Sequence, residues 1–125
     1  MSAGQALQAS LVARLRSLAE LSGIYDGPPA RAPYPYLVVD CSLEQDWGAK
    51  ELRGREVAVA LTLWDDQPAR LQHLADAIEA ATEQDVVLDG WTVVTWRFLR
   101  RRTVRDVAGP WAAAIDFRAR LLAQS

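Results

Sequence analysis

The sequence predicts an α+β fold: a mostly antiparallel sheet of about five strands with two helices packed on it, in the order α-β-β-α-β-β-β and with one long β-hairpin. Three observations predict it. Two segments carry apolar residues at helical spacing. Five carry alternating or short apolar runs. Turn residues separate them at positions that only tight connections need.

Residues 2 to 21 open the chain as a helix. Ser2 with Gln5 three positions on forms a capping box. Leu7, Leu11, Leu15 and Leu18 follow as one apolar stripe, and Gly23 is the expected stop. Residues 23 to 35 hold four prolines and two glycines, which predicts an extended connector lying on the fold. Residues 36 to 44 start a strand with Leu37, Val39, Cys41 and Leu43 on one face and Asp40, Ser42 and Glu44 on the other. After a polar tip over 45 to 54, Val57, Val59, Leu61 and Leu63 alternate with Ala58, Ala60, Thr62 and Trp64. A tip that long exceeds what a hairpin turn requires.

Asp65, Asp66, Gln67 and Pro68 then read as the start of a second helix, 65 to 83, whose buried stripe is Leu71, Leu74, Ala75, Ile78 and Ala81. A short strand is expected over 85 to 88. Asp89-Gly90 reads as a two-residue hairpin turn, and a long strand runs from Trp91. After a turn around Ala108, Gly109 and Pro110, the last strand places Ala113, Ile115, Phe117, Ala119 and Leu121 on one face. By simple alternation Trp91 and Trp96 point to opposite faces. Arg97 and Arg101 then share a face with Val93, Thr95 and Leu99, while Arg100 and Arg102 share the other with Trp96 and Phe98.

Bulk properties narrow the classes of function. At 125 residues the chain is expected to be one domain, 1 to 125, large enough to bury roughly two-thirds of its unfolded surface. No apolar run is long enough to span a bilayer, and no signal peptide is visible at the start. The single cysteine excludes an internal disulfide and a multi-cysteine metal site, and fits a reducing compartment. Charge is unevenly spread. Residues 1 to 90 carry seven Lys/Arg against fourteen Asp/Glu, and residues 91 to 125 carry seven Arg against two Asp. Copies of such a chain could dock acidic surface to basic surface.

Nothing in the sequence rises to an enzyme, a cofactor site or a metal site. His73, with Asp76 three residues on, lacks a partner nucleophile. Cys41 falls on an apolar strand face, where a thiol behaves as a small hydrophobe. Asp65 and Asp66 are a helix start rather than a convergent oxygen cage. Phosphate-binding glycine patterns are absent. What remains is the arginine-rich RFLRRRTVRD at 97 to 106 and five tryptophans. Trp96, Phe98, Arg100, Arg101, Arg102 and Arg105 approximate a stacking and phosphate-tracking surface for nucleic acid. A subunit interface or a solvated strand end is the favoured reading of the same residues.

The order of segments adds a resemblance. The leucine-striped helix, IYDGPP, YPYLVVD, GREVAVALTLWDD, ARLQHLADAIEAA and the closing WAAAIDFRA together resemble the small tail terminator (tail completion) family of long-tailed bacteriophages. They are also similar to the version carried by gene transfer agents, which are phage-derived particles. The resemblance covers almost the whole chain and implies a non-enzymatic virion protein. Such proteins form a ring, hexameric in that family, on the tail tube. The ring ends tube polymerisation and joins the tube to a head-completion or stopper protein, and DNA transits its channel unread. The implied partners are further copies of the chain, the major tail tube protein and the head connector, with no membrane. The implied location is the cytoplasm during assembly and then the head–tail interface of the particle. The residues expected at subunit or tube contacts are Trp47, Lys50, Glu51 and Arg53 on the hairpin tip, with Arg97, Arg100, Arg101, Arg102 and Arg105.

Overall fold

A computed structural model describes residues 1–83, 87–107 and 109–124. Helix α1 spans Ala3–Leu15. The Ser2 hydroxyl accepts from the Gln5 amide at 3.1 Å, and the Gln5 side chain accepts from the Ser2 amide at 2.9 Å, so the expected capping box is formed. The helix ends at Leu15, six residues short of the expected end at residue 21. The Ser17 hydroxyl takes the Arg14 carbonyl at 2.8 Å, and the chain tightens into successive three-residue turns from Arg14 to Leu21. Leu18 and Leu21 still pack against the core from these turns.

The connector contains a strand that its prolines conceal. β1 (Gly23–Tyr25) precedes the first proline and pairs in parallel with Tyr36, Leu37 and Val38. β2 (Tyr36–Asp46) and β3 (Gly54–Asp65) form the long antiparallel hairpin. Val57, Val59, Leu61 and Leu63 are buried, as the alternation requires. On β2 the expectation holds for Leu37, Val39 and Cys41 but not for Leu43, which is 66% exposed. A bulge between Asp40 and Leu43 adds one residue, and everything beyond it changes face.

α2 covers Pro68–Thr82, with Pro68 in the first turn and Gln67 at the cap position. Leu71, Leu74, Ala75 and Ile78 are its buried stripe, and Ala81 is partly buried. Of the strand expected over 85 to 88, residues 85 and 86 lie outside the described residues. Val87 is in no strand, and Leu88 makes a single bridge to Trp91. The Asp89-Gly90 turn is present, with Gly90 at φ 81°. β4 (Trp91–Arg105) and β5 (Trp111–Ala123) pair antiparallel along their length. The turn between them includes Ala108, which is outside the described residues.

The element order is therefore α-β-β-β-α-β-β, and the sheet order is β1-β2-β3-β5-β4. The fold class is the expected one, with β1 gained and, of the expected 85 to 88 strand, no strand at Val87 and only an isolated bridge at Leu88. α1 lies over β2, and α2 over β3 and β5, on the same side of the sheet. The core between the layers is one continuous cluster that includes Leu7, Leu11, Leu61, Ile78, Ile115 and Leu121. Each such fully buried leucine or isoleucine contributes roughly 1.5–3 kcal/mol relative to exposure. No helix is long and apolar enough to cross a membrane among the described residues.

Candidate functional site

The helices leave one face of the sheet bare, and bulges decide what stands on it. β4 is bulged between Val93 and Thr95 and again between Phe98 and Arg100. The first bulge brings Trp96, opposite Ala119, onto the same helix-side face as Trp91, opposite Ala123. The opposite-face reading of these two tryptophans is thus overturned by one extra residue. The second bulge separates the arginines differently from simple alternation. Arg101 pairs with Ile115 on the helix side, whereas Arg97, Arg100 and Arg102 fall opposite Arg118, Asp116 and Ala114 on the bare side.

Arg101 is committed within the chain. Its guanidinium donates to Asp76 at 2.9 Å and Glu79 at 2.6 Å, tying the outer strand to α2. Gln72 reinforces the link by donating to the Thr103 hydroxyl at 2.9 Å. Trp96 stacks on Phe117 with ring centroids 4.6 Å apart, and Phe98 meets the same ring edge-on at 5.8 Å. The aromatic and arginine constellation is therefore divided. Trp96, Phe98 and Arg101 stand on the helix side, and Arg100 and Arg102 stand on the other.

The bare face carries its own set. Arg97, Arg100, Arg102, Arg118 and Arg120 stand there with only Glu56 and Asp116 among them on β3, β4 and β5. Arg100 meets Asp116 at 2.9 Å, while Glu56 lies 3.4 Å from Arg118 Nε and 3.9 Å from Arg120 Nε. Neither of those two Nε donors completes a hydrogen bond. Beside them is a hollow of about 220 Å³ bordered by Leu43, Ala58 and Leu99. Leu43 and Leu99 sit at bulges, the residue after the β2 irregularity and the extra residue of the second β4 one. Toward the β1 end the face becomes aromatic. Tyr34 stacks on Tyr36 at 5.8 Å, and Tyr36 on Trp64 at 6.5 Å.

The hairpin tip is less free than its polarity implied. Trp47 is half-buried, with the Arg120 guanidinium 5.5 Å from its ring centre. Arg53 lies over Trp91 at 5.4 Å, and its carbonyl accepts from the Ala123 amide at 2.8 Å. Lys50 and Glu51 are exposed. Arg105, at the far end of β4, covers Trp111 at 5.4 Å. The nine residues expected at contacts thus fall in three places: the tip, the bare face, and the helix-side edge.

The residues weighed for chemistry take structural roles. Burial, and then the neighbouring Asp40 charge, push the Cys41 thiol up to about 12, so it is protonated at neutral pH. The Asp65 side chain is fully buried. Burial alone would raise its pKa, but two bonds from Arg70 at 2.6 and 2.7 Å and one from the Gln67 amide at 3.2 Å hold it below the ordinary range. It fastens the end of β3 to the first turn of α2. His73 is exposed and lies 3.8 Å from Glu20. Among the described residues no three His, Cys, Asp or Glu side chains are placed to hold a metal ion.

Comparison with known proteins gives these surfaces a setting. The family model described as "Tail completion protein gp17" matches residues 5–122. The chain belongs to this family. As a tail completion protein it has a structural role in phage-type tails. Two solved structures share the fold. One, from "Virion of native gene transfer agent (GTA) particle", superposes with a TM-score of 0.84 at 23% identity over 97% of this chain and 98% of that one. The other, "Structure of bacteriophage SPP1 gp17 protein", has a TM-score of 0.66 at 21% identity over 94% and 89%. No curated protein matches the sequence significantly. Among the features of this tail completion protein, the bulge-placed leucines were missed by periodicity. The Arg118 and Arg120 positions were open to it, because they alternate with Phe117, Ala119 and Leu121.

Proposed function

We propose that this tail completion protein closes into a ring on the end of the tail tube, stops the tube from growing and presents a seat for the head connector. Six copies is the number that the family resemblance supplies. DNA transits the channel without base contacts, since phosphate and base recognition require side chains converging on a groove. The particle assembles in the cytoplasm. The observation that carries the reading is the unlikeness of the two sides of the molecule. One side is a bare, arginine-bearing sheet, and the other carries α2, where Asp76 and Glu79 outnumber Arg70. A cyclic ring needs heterologous contacts, one patch meeting a different patch on the next copy.

Light scattering after size exclusion tests this, with the protein alone and with tail-tube subunits, at low and high salt. The expected species has a mass of about 83 kDa, six times the 13.8 kDa chain. A chain that stays at 13.8 kDa and ignores tube protein, yet shifts on DNA at low salt, would overturn the ring and favour a nucleic-acid module.

A further inference from the structure

We infer that the seam between copies forms where the bare sheet face of one copy receives the outer face of α2 from the next. This rests on the ring reading above and specifies which two surfaces meet.

The sheet side of the seam is built by departures from regular structure. A strand pair with no bulge would put the residue at 43 toward the helices and have no extra residue at 99. Instead Leu43 is 66% exposed and Leu99 42% exposed, on opposite rims of one hollow floored by Ala58. Bulges forfeit ladder hydrogen bonds and recur where a side chain must be re-aimed. Two of them, on strands that do not neighbour each other, converge on a single apolar hollow. Arg118 and Glu56 also line it, and the other arginines of the bare face lie on the same side of β4 and β5. The Nε groups of Arg118 and Arg120 are buried beside Glu56, at 3.4 and 3.9 Å, without completing a hydrogen bond to it. The site therefore offers apolar contact at its centre and arginine side chains on the same face, the arrangement of a protein–protein contact.

The helix side matches it in shape and sign. Ala69, His73, Asp76, Ala80 and Glu83 are all exposed, and their spacings of four, three, four and three place them on one outward stripe from α2 into its cap residue. Two of the five are alanines, so a flat surface can approach closely. Segment 66 to 83 carries Asp66, Asp76, Glu79 and Glu83 against Arg70. Asp76 already meets Arg101 of its own chain and still has a side chain 71% exposed. A predominantly acidic, low-relief helix face thus complements a basic sheet face with a shallow apolar hollow.

Position completes the argument. The two surfaces lie on opposite sides of the same molecule, because α2 packs on the covered face of the sheet. One copy can therefore hold two neighbours at once. Neither surface has the self-complementary charge of a two-fold dimer. Repeating one such heterologous contact builds a ring or a filament.

The test uses two variants at exposed small residues. Ala58→Lys fills the floor of the hollow, and Ala80→Lys puts a cation on the stripe that must face arginines. Each is expected to keep the wild-type melting temperature within a few degrees and to fall from about 83 kDa to 13.8 kDa under the condition in which wild type forms the ring. Mixed one to one, they should recover a dimer of about 28 kDa and nothing larger, because one intact sheet face and one intact α2 face remain. Should Ala58→Lys lower solubility, Leu99→Ser at the rim asks the same question by removing the apolar contact.

Wild-type-sized rings from both variants would overturn the seam and leave the ring standing. Monomeric variants whose mixture forms no dimer would show that these two surfaces do not meet, with the same consequence. A ring that survives Ala58→Lys but no longer binds tube protein, or no longer shifts DNA, would give the bare face to that partner instead. If wild type forms no ring with or without tube protein, the ring reading fails first and the seam with it.

Discussion

Gly4→Ala separates helix propensity from packing in this fold. Gly4 is the second residue of α1, and by propensity alone alanine would stabilise the helix by up to about 1 kcal/mol. The structure reverses the sign. A Cβ at this position would stand 2.5 Å from the Cys41 carbonyl oxygen and 3.0 Å from Glu44 Oε1. The first of these is backbone of a central stretch of β2 and cannot swing aside. The Gly4 amide also donates to Glu44 at 3.2 Å, a bond that a displaced helix would lengthen. Overpacking of this kind costs roughly 1–3 kcal/mol. Set against a propensity gain that is smaller in a first turn than in a helix interior, the net is a loss of about 1–2 kcal/mol. For a chain of this length that lowers the melting temperature by roughly 4–8 °C. Thermal unfolding followed by circular dichroism measures it. Ala9→Gly, at an exposed position on the same helix, gives the propensity scale in place, with an expected loss near 1 kcal/mol. A Gly4→Ala protein as stable as wild type or more so would refute the close approach of α1 to β2.

Three further outcomes follow from the geometry. Asp65→Asn should lose roughly 1–3 kcal/mol at pH 7, because an amide cannot replace a carboxylate between Arg70 and the Gln67 amide. The folded Asp65 pKa is depressed, so its contribution is present above the ordinary Asp range near pH 4 and lost as pH falls through the folded value. Denaturation at pH 7, 5 and 3 should show the variant and wild type converging in acid, and a pH-independent gap would speak against the ion pair. Cys41 should resist a thiol reagent at pH 8 in the folded protein and react once denaturant is added; rapid native labelling would mean that the strand face is open. Trp47→Ala should leave a folded monomer weakened by roughly 1–2 kcal/mol, from lost area and the Arg120 contact, and should impair assembly. Outright unfolding of this variant would make Trp47 part of the core rather than of a contact surface.

What could be read from the residues alone were features with a period or a fixed turn. The Ser2–Gln5 capping box, the β3 alternation from Val57 to Leu63, the α2 stripe and the Asp89-Gly90 turn all appear where expected. Each rests on local stereochemistry that tertiary context had no reason to override. What could not be read were the bulges. An extra residue near Cys41 or at Leu99 leaves composition and spacing intact, yet it exchanges the faces of every residue beyond it. The β2 bulge moved Leu43 to the bare face, and the first β4 bulge moved Trp96 and Phe98 to the helix side and Arg97 to the bare face before the second restored the original alternation at Arg100, Arg101 and Arg102. β1 escaped notice for another reason: three residues have little propensity of their own, and pairing to β2 holds them in place. The candidate contact residues were legible as a list but not as an arrangement, because the arrangement depends on which side of the sheet the helices cover.

Termination of the tail tube is the central claim, and the most direct measurement is the length of tubes grown with and without this protein. Purified tail-tube subunits would be polymerised alone and with increasing amounts of the chain, and the products imaged by electron microscopy. The expected result is tubes that stop elongating once the protein is added and that carry ring-shaped density of its size at one end. Tubes that grow to the same lengths at every ratio, with bare ends and the protein left in solution, would contradict it.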